Sequence, residues 1–97
     1  METYIILGNF TQEGASKIKE SPARIEAARK AVEAAGGKFL SWYLTMGRYD
    51  FVVITQAPNV KAAASVLLAV GGLGNVRTET MHALTEEEFK ELVASMP

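Results

Sequence analysis

Gly47-Arg48-Tyr49-Asp50 stands between two apolar runs. A guanidinium, a phenol and a carboxylate in consecutive positions could rim a polar pocket at the end of a sheet. A carboxylate that opens a strand also has a structural use, because it accepts backbone N–H groups of a tight turn and fixes it. Both readings of Asp50 stay open: hairpin clamp, or pocket rim together with Arg48 and Tyr49. Gly47 would supply a positive backbone angle or a close approach that other residues reach only at a cost.

Arg77 and Glu79 lie two apart in a later β-rich run, so they share a face. If that face is buried they should pair, since an unpaired buried charge is costly; a polar ligand clamp is the alternative. Thr78, Thr80 and His82 take the opposite face. Asn9 interrupts the end of the first apolar run, and its amide, once buried, demands partners or orients a ligand carbonyl. Trp42 and Tyr43 offer an aromatic wall and a phenol donor, or simply core. His82 is the only histidine and there is no Cys, so no transition-metal site is expected. His82 as a general base would titrate near neutrality, but an exposed histidine near a strand end is equally ordinary. No residue is assigned a catalytic role. The glycines of Gly71-Gly72-Leu73-Gly74-Asn75 follow a helix C-terminus, where the dipole end is negative, so they read as a helix stop and not as a phosphate loop.

These residues are held by a legible series of elements. Thr3 to Phe10 is rich in β-branched and aromatic residues and predicts a strand. Thr11 could cap a short helical segment. Ser21-Pro22 predicts a helix start, with Ser as N-cap and Pro at the first helical position. Ile25, Ala28, Val32 and Ala35 then recur as one apolar stripe, Glu26 and Lys30 sit four apart on the outer face, and Gly36-Gly37 stops the helix. Lys38 to Met46 and Asp50 to Gln56 read as strands joined by a three-residue hairpin. Asn59 caps a helix over Val60 to about Val70, and Asn75 to Ala83 is a fourth strand. Thr85 with Glu88 is a capping box, stapled by Leu84 and Phe89, for a last helix with Phe89, Leu92, Val93 and Met96 on its apolar face. The expected role of that helix is to close over the sheet. The order is the split βαβ arrangement, an α+β fold of βαββαβ type with a four-stranded antiparallel sheet, helices on one face, and an extra C-terminal helix.

Ninety-seven residues fit one domain spanning 1–97, with a small core that must be efficient or shared. Ten Lys and Arg against eleven Asp and Glu argue against a nucleic-acid surface. No apolar run reaches the 18 or so residues that span a bilayer, and Glu2 stands where a secretory signal would be basic. The expectation is a cytoplasmic protein without cofactor, acting on neither membrane nor nucleic acid.

Alternation along the strands is poor. Tyr4, Ile6 and Phe10 oppose Ile5 and Leu7; Phe39 and Tyr43 oppose Leu40, Trp42 and Leu44; Phe51 and Val53 oppose Val52 and Ile54. A sheet with one wet face alternates cleanly; this one is apolar on both, and helices can cover only one. A second copy of the chain, packed sheet to sheet as a homodimer or within a larger homo-oligomer, is the simplest cover. The helix from Val60 to Val70 is apolar nearly all round and is expected to be buried on more than one side. Doubly apolar strands carrying a few polar groups also suit a small-molecule site between sheet and helices or between subunits.

The segments "LGNFT", "SPARIEAAR", "GRYD" and "GNVRTETM", in that order from Tyr4 to Phe89, resemble the GYD domain family. The resemblance implies a ferredoxin-like fold of the dimeric α+β barrel group and no assigned biochemistry. The Gly-x-Tyr-Asp turn, apolar strand, helix and "VRTET" layout is similar, more distantly, to the effector domain of leucine-responsive regulators. That implies amino-acid binding between subunits near the turn, here as a free-standing sensor. The wider group also implies an enzyme alternative, a cofactor-independent monooxygenase or isomerase; its haem-degrading members depart from this chain in placing the histidine on a helix. A third reading is a structural or partner-binding module with no pocket.

Overall fold

The computed structural model describes residues 1–97. Four strands, β1 (Glu2–Phe10), β2 (Lys38–Leu44), β3 (Phe51–Ala57) and β4 (Val76–Ala83), form one antiparallel sheet in the order β2-β3-β1-β4. The helices are α1 (Gln12–Ser16), α2 (Ser21–Ala34), α3 (Val60–Gly71) and α4 (Glu86–Ala94). This is the ferredoxin-like α+β topology, with α1 and α4 added to it.

Local chemistry accounts for most boundaries. The Thr11 hydroxyl accepts from the Gly14 amide and starts α1; the Asn59 side chain accepts from the Ala62 amide at 2.9 Å and starts α3. Both satisfy amides that have no intrahelical acceptor. Thr85 and Glu88 complete a reciprocal capping box at α4. There the backbone and side-chain donors of Thr85 hold the Glu88 carboxyl below its usual range. Ser21 differs from expectation. A 3-10 turn over Ile18–Glu20 leads straight into α2, so Glu20 is the N-cap, Ser21 is already helical and Pro22 follows it. Glu26 pairs with Arg29, three residues on, and not with Lys30.

The second strand departs from strict alternation. The β2–β3 register runs Phe39 to Thr55 and then Ser41 to Ile54, leaving Leu40 as an unpaired extra residue. Such a bulge shifts the face of everything beyond it. Phe39 and Trp42 therefore share the helix side, whereas simple alternation sets them on opposite faces. The hairpin is also longer than expected: β2 ends at Leu44, and Thr45 closes the loop by donating its amide to the Asp50 carbonyl at 2.8 Å. Gly47 has φ +118°, in the region that favours glycine.

Helices α2 and α3 lie over the face that carries Ile6, Phe10, Trp42, Phe51 and Val53. At its centre the Phe51 ring lies across Gly8, its cross-strand partner, and no Cβ would fit beneath it. Phe10 and Trp42 flank that ring at centroid distances of 5.4 and 5.5 Å. The packing is nevertheless thin: nine of 97 residues are buried and no large side chain is fully enclosed.

Nothing in the chain covers the other face, where Ile5, Leu7, Val52, Ile54, Tyr43 and Met81 lie. The last helix does not close over the sheet as expected: α4 packs extensively on no other element, and Phe89 is 58% exposed. The chain extends 52 × 31 × 17 Å with a radius of gyration of 14.6 Å, against about 12.5 Å for a compact domain of this length. Nor is α3 buried on two sides, since Leu68 and Val60 face solvent. Within one chain the apolar surface is left unburied.

Candidate functional site

The structure separates the sequence-derived candidates into two places. The first is the end of the open sheet face, where Asp50 ties the hairpin to β1. Its Oδ2 accepts the Phe10 amide at 2.9 Å, and its own amide donates to the Gly8 carbonyl at 2.9 Å and to Asn9 Oδ1 at 3.1 Å. The carboxylate thus satisfies a strand forty residues away and not its own turn. The Thr45 hydroxyl donates to the Tyr49 carbonyl at 2.6 Å and closes the loop itself.

From that loop the Tyr49 hydroxyl reaches across to donate to Glu79 Oε2 on β4, at 3.0 Å. The hydrogen bond, then burial, then the Glu79 charge push the Tyr49 phenol above its usual range, so it remains a donor at neutral pH. Glu79 makes no ion pair with Arg77; both are exposed, which replaces the buried pair expected of them. Exposure removes the penalty that would have forced pairing. Arg77 instead stands opposite Asn9 in the β1–β4 register. Hydrogen bonds link Asp50 to Asn9 and, separately, Tyr49 to Glu79, with Arg77 opposite Asn9; Arg48 is exposed in the loop, and Tyr43 is exposed on the same sheet face.

Asp50→Ala should orphan the Phe10 amide, a part-buried donor. We expect a stability loss of about 1–3 kcal/mol, read by urea denaturation, with faster amide exchange at Phe10. Asp50→Asn keeps an acceptor oxygen and should lose less.

The second place is a cavity of about 260 Å³ between α2, α3 and the helix side of the sheet. Seventeen of its twenty-two lining residues are hydrophobic, so the space excludes most polar chemistry. It exists because α2 presents Ala27, Ala28 and Ala31 toward Phe39, Trp42, Phe51 and Val53, and methyl groups do not fill the gap above rings. Trp42 belongs here and not with the polar cluster. His82 belongs to neither: it is exposed near the end of β4, with its ring stacked on Tyr4 at 4.9 Å.

The polar groups of the cavity were absent from the sequence-derived candidates. Ser21 lines it, and its hydroxyl is buried with no hydrogen-bond partner. Arg24 lines it one turn further along α2, held only by a 3.4 Å bond to the Lys17 carbonyl and a 3.7 Å pair with Glu20. Thr55, Thr78 and Asn75 complete the polar lining. The alanines at inward helical positions were the available signal, since small residues facing aromatic ones leave room. The lining contains no carboxylate, histidine, lysine or tyrosine, and no group of acidic residues and histidine could hold a metal ion. No helix is long and apolar enough to cross a membrane.

Comparison with known proteins is consistent across most of the chain. Residues 4–93 match the GYD domain. A glutamine synthetase and cystathionine beta-lyase binding protein of Thermus thermophilus is 31% identical over 85 residues, covering 87% of this chain and 90% of that protein. Among solved structures, a feast or famine regulatory protein of M. tuberculosis complexed with L-methionine superposes with a TM-score of 0.66 at 19% identity. The match covers 88% of this chain and 51% of the regulator, so this chain spans about half its length. The Thermus thermophilus protein TTHA0845 matches with a TM-score of 0.56 at 23% identity, covering 88% of this chain and 95% of that one. At these identities the structural matches establish the fold.

Proposed function

This chain belongs to the GYD domain family, and from that premise we propose that it is a homo-oligomeric protein that binds a small apolar molecule between its sheet and helices. The observation that carries the reading is the cavity above Trp42 and Phe51. At about 260 Å³ it lies just below the usual range of ligand sites, roughly 300–1,000 Å³, and so suits a small ligand. Its composition, apolar walls with a few polar groups, is what such sites need to combine affinity with orientation. Binding is favoured over the enzyme alternative because the lining supplies no group to act as general base at neutral pH.

The second copy is called for by the open face. Ile5, Leu7, Val52 and Ile54 form its middle, and neither α4 nor any other element covers them. A two-fold pairing of these faces would bury them. The polar cluster around Asp50 and Tyr49 would then lie at the rim of the interface, where a bound amino acid or a partner's backbone could meet it.

A second reading has its own support. The Thermus relative is named for binding two enzymes, and α4 presents Phe89, Leu92 and Val93, with Met96 just after it, each exposed. An amphipathic helix of that kind is a suitable element to seat in a groove of another protein.

Native mass spectrometry of freshly purified protein tests the main reading. We expect a multiple of the 10.5 kDa chain carrying a small-molecule adduct, and Ala28→Phe, which fills the cavity, should lose the adduct and keep the multiple. A bare protein that takes up no apolar compound would dismiss the pocket and favour the partner-binding reading.

A further inference from the structure

We propose that the ligand of the cavity is an apolar monocarboxylate of about ten non-hydrogen atoms, with its chain among the rings and its carboxylate at Ser21 and Arg24. The inference rests on the pocket reading above and adds the chemical class of its occupant.

Size follows from volume. An apolar cavity of about 150 Å³ holds benzene; scaling six carbons to 260 Å³ gives about ten heavy atoms. Shape follows from the lining. Phe39, Trp42 and Phe51 form a floor, and beyond its first turn α2 contributes only aliphatic side chains opposite, Ile25, Ala27, Ala28, Ala31 and Val32. Such a space accepts a short acyl chain or a flat ring and rejects a polar body, whose donors and acceptors would be left unmatched.

The polar end is set by two side chains on one turn of α2. A buried hydroxyl without a partner is uncommon in a folded protein and calls for an explanation such as a missing ligand. The Ser21 hydroxyl is in that position, on a residue that lines the cavity. Three residues on, Arg24 lies on the same helical face. Its guanidinium has five donors, of which the two contacts seen, at 3.4 and 3.7 Å, engage few and weakly. A carboxylate there would accept from the hydroxyl and from the guanidinium fork together. An amine would face the Arg24 charge. A neutral alcohol could use the hydroxyl but would forgo the charge-assisted bond. The rest of the lining contains no anion to compete and no second cation.

The test compares octanoate with 1-octanol, molecules of equal chain length that differ in the head group. Trp42 is the only tryptophan and lines the cavity, so its fluorescence reports occupancy. Wild-type protein should bind octanoate at least about tenfold more tightly than octanol, the usual difference for hydrogen bonds to charged groups. Arg24→Gln should abolish that preference while octanol still binds, and an unchanged circular dichroism spectrum shows that the variant is folded. Ser21→Ala should weaken octanoate by a smaller factor. Equal affinity for the two in wild type would overturn the anionic class while leaving an apolar pocket in place. A preference that survives Arg24→Gln would overturn the site. Binding of neither molecule would overturn both this inference and the pocket reading.

Discussion

Leu7→Lys is expected to yield a folded monomer. Leu7 lies mid-strand on the face that no helix covers, between Val52 on β3 and Glu79 on β4. In a lone chain a lysine there would be solvated, and it could pair across the strands with Glu79, a mildly favourable arrangement. In a sheet-to-sheet pair the same lysine would be buried in an apolar layer. A two-fold interface uses the same patch twice, so each substitution counts double. With several kcal/mol to take each added charge out of water, self-association should weaken by at least about a thousandfold. Light scattering should fall to a single chain of 10.5 kDa, with an unchanged circular dichroism spectrum. A variant that stays oligomeric would show that the copies meet elsewhere, through α4 or the edge strands.

The legible parts of this fold are those decided within a few residues. The Thr85–Glu88 capping box, the Asn59 cap and the glycine stop after α2 depend on groups one helical turn apart, and each stands where the sequence puts it. The strand order follows from the alternation of elements and from the handedness of crossovers. What was hidden depends on distant partners. No local pattern marks Leu40 as a bulge, because only the β3 register leaves it unpaired. The Asp50 carboxylate could not be traced to Phe10 from the turn alone. Ser21 reads as a cap, yet the 3-10 turn before it takes over that role and leaves its hydroxyl buried without a partner. The amphipathic pattern of α4 says that a face needs covering but not which surface covers it, and a nine-residue helix is too short to be stable in water by itself. The capping box strengthens its start. No other element of the chain packs extensively on α4 to supply the remainder.

Phe51→Ala should be the most destabilising single truncation in the domain, and its pairing with Gly8 gives the sharper measurement. Phe51 is 5% exposed, is flanked by Phe10 and Trp42, and floors the cavity. Removing a buried phenyl group ordinarily lowers stability by about 3–5 kcal/mol, a large share of what a domain of this size has. Urea unfolding should show the midpoint falling with little change in slope. Gly8→Ala should also destabilise, by about 1–3 kcal/mol, because its Cβ would enter the space of the Phe51 ring. In the double variant that conflict is absent. Alanine then replaces glycine in a central strand with room for its methyl group, where the backbone entropy term favours it by about 0.5–1 kcal/mol. Gly8→Ala should therefore change sign, from destabilising in the parent to neutral or stabilising in Phe51→Ala. A cycle in which the two losses simply add would mean that the ring does not rest on Gly8, and the floor of the binding cavity would have to be redrawn.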